Sequence, residues 1–464
     1  MSQVNLSGLC AALILGGLAL VLPGARAAAQ QTPPTTNEAL VRTFVENIGA
    51  EKYDAAEQLF SDSVRQAFPA DKLKAAWQQV LSRAGDFQAI KSLTHEAANG
   101  GDLFSVVCEF SKAQATMAIQ VDAQQHIAAF HVTQMSEKES AAWTPPEYAK
   151  TDSFEERGAI VGQAPYALSG TLTLPKGAGP FPAAVLIHGS GPNDQDESYG
   201  PNKTFKDLAW GLASRGIAVL RYTKRTRQYG AQMMHDPAGL TVRQETIDDA
   251  RSAVALLATM HEIDAAHIFV VGHSLGGYLA PRIATGDNQI AGLVLLAGSA
   301  RPLEDMVIEQ IKFETSIAGA SAAPQGQKAL ADAEADKRAI EDPNLKPGTM
   351  LRLAGSQVPS EYFLDLRGYD PPKMAASLTI PMLILQGERD IQVRMTDFNL
   401  WKAGLASHKN VTFKSYPAAT HLFMPGTGPG TPAEYNTPNH VEADVIADIA
   451  AWIHRESGAV SPAK

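Results

Sequence analysis

The stretch Ile268-Phe269-Val270-Val271-Gly272-His273-Ser274-Leu275-Gly276-Gly277-Tyr278-Leu279-Ala280 decides the reading of this chain. A β-branched and aromatic run leads into Gly-x-Ser-x-Gly, and small and apolar residues at helical spacing follow, so the order is strand, tight turn, helix. Such a turn holds its serine in a strained backbone conformation, clear of the sheet and at the positive end of a helix dipole. Gly272 and Gly276 then stand where a Cβ would collide with the neighbouring strand or helix, and His273 occupies the position before the serine. Ser274 is the candidate nucleophile.

A serine hydroxyl is a weak nucleophile at neutral pH and needs a base, which in turn needs a carboxylate to fix its tautomer. The loop after the apolar run 382–385 reads Gln386-Gly387-Glu388-Arg389-Asp390, and the loop after 411–416 reads Pro417-Ala418-Ala419-Thr420-His421. Asp390 and His421 therefore each fall just past the carboxyl end of a strand, in the chain order Ser, Asp, His that a sheet of this kind uses. His440 is the competing base, because the loop 426–439 before it is long enough to fold back. Glu388 and Asp365 are the alternates to Asp390. His408 precedes its strand and so lies at the wrong end of the sheet, while His454 sits on the terminal helix.

Charge developing on a carbonyl oxygen calls for two backbone N–H donors. One is the amide after the nucleophile, Leu275. The other belongs to the loop after the buried run 183–187, His188-Gly189-Ser190-Gly191-Pro192, which offers Ser190 or Gly191. The basic run 221–227 also leaves a strand toward this rim. Lys224, Arg225 or Arg227 could meet an acidic group of a substrate there, and a solvated or structurally paired loop is the plainer reading.

Around these residues, helical segments (205–214, 242–260, 275–284, 397–406, 441–452) alternate with apolar runs (183–187, 217–222, 268–271, 290–296, 382–385, 411–416). Strands buried on both faces and separated by helices predict an α/β architecture, a doubly wound, mostly parallel sheet over residues 158–457. Its opening reads as a hairpin, 159–163 with 168–174. Residues 301–378 interrupt the alternation with helical spacing and no strand, which predicts a helical cap over the strand ends. Before all this, residues 37–135 place helical patterns ahead of alternating runs, as expected of a small α+β domain. Residues 136–157, with Pro145-Pro146 and mixed charges, read as a linker. His95, His126 and His131 in the first domain read as ordinary surface or half-buried histidines.

The chain has 464 residues and 45% hydrophobic content, enough for a sizeable core in more than one domain. With 39 basic against 49 acidic residues, its net charge of −10 argues against nucleic acid or an anionic membrane as the main partner. Cys-x-x-Cys, His-Glu-x-x-His, Walker and Gly-x-Gly-x-x-Gly patterns are all missing, so neither a metal nor a nucleotide cofactor is signalled. Residues 9–22 are uncharged and apolar, too short to span a bilayer comfortably, and Ala-x-Ala sites follow at Ala27 and Ala29. Residues 1–29 therefore read as a signal peptide, with an uncleaved anchor as the alternative because 1–8 lack Lys and Arg. The expected product is exported, periplasmic or extracellular. It has no stable membrane span after cleavage, and it keeps Cys108 of the two cysteines as a buried, inert thiol.

Four segments carry a family resemblance: His188-Gly-Ser-Gly-Pro-Asn-Asp194, Gly200-Pro-Asn-Lys-Thr-Phe-Lys-Asp-Leu-Ala-Trp210, Arg221-Tyr-Thr-Lys-Arg-Thr226 and Gly272-His-Ser-Leu-Gly-Gly277. From about residue 155 to 452 the chain resembles the α/β-hydrolase superfamily, and within it bacterial exported esterases with a small amino-terminal domain. Thr223 departs from the acidic residue usual in similar proteins. The resemblance implies hydrolysis of small-molecule carboxylic esters through an acyl-enzyme, with Ser274 as nucleophile, His421 as base and Asp390 as its orienter. A peptidase or acyl thioesterase would use the same constellation, and a non-catalytic binding protein would retain only the fold. Residues 37–135 resemble nuclear-transport-factor-like domains of unknown function, which implies no activity.

Overall fold

A computed structural model describes residues 36–98, 101–111, 113–137, 143–235, 240–318 and 323–458. The expected signal peptide and its cleavage sites lie outside the described residues. The chain divides into two compact units, residues 1–138 and 139–464.

The first unit opens with α1 (Thr36–Gly49), α2 (Tyr53–Glu57), α3 (Asp62–Ala67) and α4 (Ala70–Ala84). An antiparallel sheet follows, β1 (Phe87–Ala98), β2 (Gly101–Phe110), β3 (Ala113–Asp122) and β4 (Ile127–Glu137), paired in chain order. On α1 the apolar residues Val41, Phe44, Val45 and Ile48 recur at helical spacing and are all buried. On β3 every second residue from Ala113 to Val121 is buried, the period of a half-buried strand. These two faces close on one core that includes Phe60, Trp77 and Phe104. His95, His126 and His131 are exposed.

The second unit begins with β5 (Phe154–Val161), β6 (Leu168–Pro175) and β7 (Phe181–Ile187), and a two-residue hairpin β8 (Ser198–Tyr199) and β9 (Asn202–Lys203). It continues with α5 (Thr204–Ala213), β10 (Ala218–Tyr222), α6 (Arg225–His235), α7 (Asp248–Ala258), β11 (Ile263–His273), α8 (Leu275–Ala284) and β12 (Ile290–Leu296). After the cap come β15 (Met382–Gly387), α13 (Met395–Gly404), β16 (Val411–Tyr416) and α14 (Ala443–Ser457). The eight-stranded sheet runs β16-β15-β12-β11-β7-β10-β6-β5. Neighbours from β10 to β16 are parallel, and β6 is antiparallel to both of its neighbours.

Successive residues on these strands face opposite sides. Val185, Ile187, Val270 and Leu293 pack with Ala250, Leu257, Leu279 and Ile283 of α7 and α8. Leu186, Phe269, Val271 and Val294 pack with Phe205, Leu208, Ile449 and Trp452 of α5 and α14. Helices on both faces explain why the strands read as continuous apolar runs. From β7 the chain moves to β10 on one side and then returns to β11 on the other, so a crevice opens beyond the carboxyl ends of β7 and β11. That crevice receives the loop 188–192 and Ser274.

Two boundaries differ from expectation. The segment 154–157 is not linker: it lies within β5, an edge strand on which charge is tolerated. Glu156 there accepts hydrogen bonds from Trp210 and Thr173 and pairs with Arg221, while Arg157 pairs with Glu262. The cap carries helices α9 (Leu303–Ala318), α10 (Ala323–Glu341), α11 (Ser360–Leu366) and α12 (Pro371–Ala376), but also a hairpin, β13 (Met350–Leu353) with β14 (Ser356–Pro359). Its turn places Ala354 and Gly355 both at positive φ, 49° and 79°, the geometry of a two-residue hairpin loop. A glycine at the second position alone is a weak signal, and the hairpin was not legible in sequence.

Candidate active site

Ser274 sits between the last residue of β11 and the first of α8, at φ 51° and ψ −113°. Its amide donates to Leu296 O at 2.8 Å, which ties the turn to the end of β12. A Cβ on Gly272 would collide with the Gly276 carbonyl, and one on Gly276 with the Ile187 carbonyl. Both glycines are thus required by close approach, and the turn stays strained because its surroundings leave no alternative.

Asp390 lies in the loop after β15 and His421 in the loop after β16. His421 Nδ1 is 2.7 Å from Asp390 Oδ2, with the histidine side chain 4% and the aspartate 0% exposed. Asp390 Oδ1 accepts from the amides of Gln392 (2.7 Å) and Val393 (2.9 Å), and Oδ2 also accepts from Gln386 Nε2 at 3.0 Å. Such a carboxylate is a fixed acceptor, and an Nδ1–H on His421 directed at it leaves Nε2 as the basic nitrogen. His421 is placed against the elbow through His273, whose Nε2 lies 3.0 Å from His421 O and whose ring centroid is 4.7 Å from that of His421. Among the described residues, Ser274 Oγ makes no hydrogen bond.

The alternates are engaged elsewhere. His440 Nδ1 lies 3.1 Å from the buried Asp207, and Glu388 accepts from Ser415 Oγ at 2.8 Å. Asp365 is bound to Arg282 and to the Arg243 amide. His408 and His454 are within hydrogen-bond reach of backbone carbonyls, Leu378 O and Arg215 O.

In the loop after β7, Ser190 and Gly191 are exposed while Gly189 is buried against Ser274. The Gly189 carbonyl accepts from Lys224 Nζ (2.8 Å) and Asn193 Nδ2 (3.2 Å), and its amide donates to Glu197 Oε1 (2.6 Å). Among the described residues, the amides of Ser190, Gly191 and Leu275 donate to no protein acceptor, so they are free to meet a charged oxygen. Gln386, Asn193 and Glu197 escaped sequence reasoning. Each acts through a backbone group or another side chain, and no motif spacing marks that.

Lys224 does not line a rim. It is 2% exposed, and its ammonium is committed to Gly189 O and to Glu245 at 3.2 Å. Arg225 is paired with Asp249. A cation this buried holds its charge only beside a carboxylate, which makes the run from Arg221 to Arg225 internal scaffolding. Arg221 fits the same pattern, bound to Asp196, Glu156 and Thr173. Arg227 is exposed. Among the described residues no helix is long and apolar enough to cross a membrane.

The fold and this site together define an α/β hydrolase, and the family match agrees. Residues 184–449, more than half of the chain, match the alpha/beta hydrolase family, and the chain belongs to it. Among its relatives, it is 36% identical over 410 residues to Esterase EstD of Thermotoga maritima, covering 88% of this chain and 93% of that protein. Residues 41–130 match a family described only as a protein of unknown function. Distant likenesses to solved structures include Est1E from Butyrivibrio proteoclasticus, at 16% identity and a TM-score of 0.42 over 65% of this chain and 99% of that one. The esterase PF2001 of Pyrococcus furiosus is similar at 15% identity and a TM-score of 0.41, over 68% of this chain and 99% of that one.

Proposed function

We propose that this protein is an exported serine carboxylesterase acting on small-molecule esters of short to medium acyl chain through an acyl-enzyme. The observation that carries the reading is the buried Asp390–His421 pair, 2.7 Å apart, set against the strained elbow of Ser274. His421 Nε2 takes the Ser274 proton as Oγ attacks the ester carbonyl, and Asp390 stabilises the imidazolium that forms. The oxyanion is received by the amides of Leu275 and of Ser190 or Gly191, which have no protein acceptor among the described residues. His421 then returns its proton to the leaving alcohol, and water repeats the sequence to release the acid.

The relationship to Esterase EstD supports ester substrates. For acyl length, support comes from the cap, which mixes helices with a hairpin and, among the described residues, forms no long apolar lid. Export rests on the apolar run 9–22 and the Ala-x-Ala sites after it.

A panel of aryl esters of increasing chain length, beside thioesters and aminoacyl amides, tests the reaction. Expected are turnover of the shorter esters, labelling of Ser274 by a fluorophosphonate, and loss of both in Ser274→Ala. Turnover that survives Ser274→Ala sinks the proposal. Comparing the amino terminus of the secreted and the cytosolic protein tests export.

A further inference from the structure

The elbow, the oxyanion loop and the base loop come from three distant parts of the chain, yet one side chain touches two of them and reaches the third through a single partner. Glu197 stands between Asp196 and Ser198, immediately before β8, and is 6% exposed. Its Oε1 accepts from the Gly189 amide at 2.6 Å, at the root of the oxyanion loop. Its Oε2 lies 2.9 Å from Nδ1 of His273, the residue before the nucleophile. Neither atom has another partner among the described residues, so carboxylate and imidazole face each other as a buried pair. His273 Nε2 in turn reaches His421 O at 3.0 Å.

We propose that Glu197 is a positioning residue of this active site: a single carboxylate, on the Gly189 amide and on His273, locks the oxyanion loop, the nucleophile elbow and the base loop into one register. The inference rests on the esterase reading of Ser274.

Three further observations fit. Glu197 adopts φ 47°, a conformation that side chains other than glycine rarely take, and such strain persists only where surrounding contacts over-determine it. Burial alone would neutralise His273, but the facing Glu197 carboxylate raises its pKa, while the His273 charge draws that of Glu197 down. A Cβ on Gly189 would stand 3.1 Å from Ser274 Cβ and 3.2 Å from Glu197 Oε1, so the loop passes close between the two side chains. By occupying the Gly189 amide, Glu197 also removes that amide as a donor and leaves those of Ser190 and Gly191 as the loop's candidate donors.

Glu197→Ala and Glu197→Gln test the idea in the full-length protein, with aryl-ester kinetics expressed per folded molecule from a urea transition. Loss of a preorganised oxyanion donor costs on the order of 10²–10³ in kcat. Glu197→Ala is therefore expected to lower kcat about 100-fold with KM within about twofold, and to slow fluorophosphonate labelling in parallel. Glu197→Gln, which keeps an oxygen for the Gly189 amide, is expected to recover about 10-fold of that loss. A residue that only stabilises the fold would lower the urea midpoint and leave kcat per folded molecule unchanged. A kcat within twofold of wild type in Glu197→Ala overturns the proposal. If Glu197→Ala does not fold, a wild-type kcat in Glu197→Gln overturns it instead. Ser274→Ala separates the two readings: turnover there near the wild-type rate refutes the esterase reading, whereas wild-type kcat in the Glu197 variants with turnover lost in Ser274→Ala refutes this inference alone.

Discussion

His421 Nδ1 lies 2.7 Å from Asp390 Oδ2, and Asp390 arrives at that contact already holding two backbone amides and the Gln386 side chain. The carboxylate is thus held by four donors, from β15 and from the loops after β15 and β16. Asp390→Asn places an amide where the imidazole needs an acceptor and favours the wrong tautomer. A fall in kcat of about 10³–10⁴-fold is expected with KM nearly unchanged, as read from aryl-ester kinetics. Full activity in Asp390→Asn would remove Asp390 from the mechanism.

Gln386 donates to Asp390 Oδ2, to Val393 O at 2.7 Å and to Gly387 O at 3.1 Å. Gln386→Leu leaves a buried carboxylate short of one donor and Val393 O without its side-chain donor, while Gly387 O keeps the Asp390 amide. The variant is expected to lose about 1–3 kcal/mol in urea unfolding, the usual cost of unsatisfied buried polar groups.

Lys224→Met separates scaffold from substrate contact. Removing one partner of a buried ion pair strands the other, here Glu245, at roughly 3–5 kcal/mol. A large drop in the urea midpoint is the expected outcome. Unchanged stability with a raised KM confined to acidic esters would restore a substrate role.

Gly276→Ala adds a Cβ where the Ile187 carbonyl already stands. Overpacking of this kind costs about 1–3 kcal/mol and displaces the elbow, so activity should fall more than stability does. Unfolding and ester turnover on the same preparation show whether both move.

Histidine titration gives a test with a sign. Burial, with help from Lys224 and against the pull of Glu197, pushes the His188 pKa down to about 4. Between about pH 6.5 and that value, the unfolded chain binds a proton at this position that the folded protein refuses. The His188 contribution, about 3 kcal/mol, is complete above pH 6.5 and is lost as pH falls toward 4. Asp249, raised to about 6 chiefly by burial, works oppositely: its folded form holds a proton that the unfolded one releases, so its contribution is lost as pH rises through that value. Imidazole resonances should therefore show His188 unchanged from pH 8 to about 5. A midpoint near 6.5 would contradict its buried, neutral state.

Cys108 is fully buried, and burial pushes its thiol pKa up to about 12. A thiol reagent should react with it only at the rate of unfolding. Fast labelling of the folded protein would place it at the surface.

The sequence alone determined the strand, turn and helix around Ser274, the alternation that makes the sheet parallel and doubly wound, and the positions of Asp390 and His421 past strand ends. These features are local or periodic: a β-branched run, a glycine pair and a loop after a strand are each visible within about ten residues, because backbone sterics and burial act at that range. Tertiary structure decided which carboxylate and which histidine meet. Asp390 and His421 are brought together, while His440 is bound to Asp207, 233 positions away in sequence. It decided as well that Lys224 turns inward to hold Gly189 rather than outward to a ligand, that 154–157 join an edge strand, and that Glu197 reaches both Gly189 and His273. A charged side chain carries no mark of its burial, since that depends on whether a counter-charge arrives from a distant segment. Only the folded chain brings the two together.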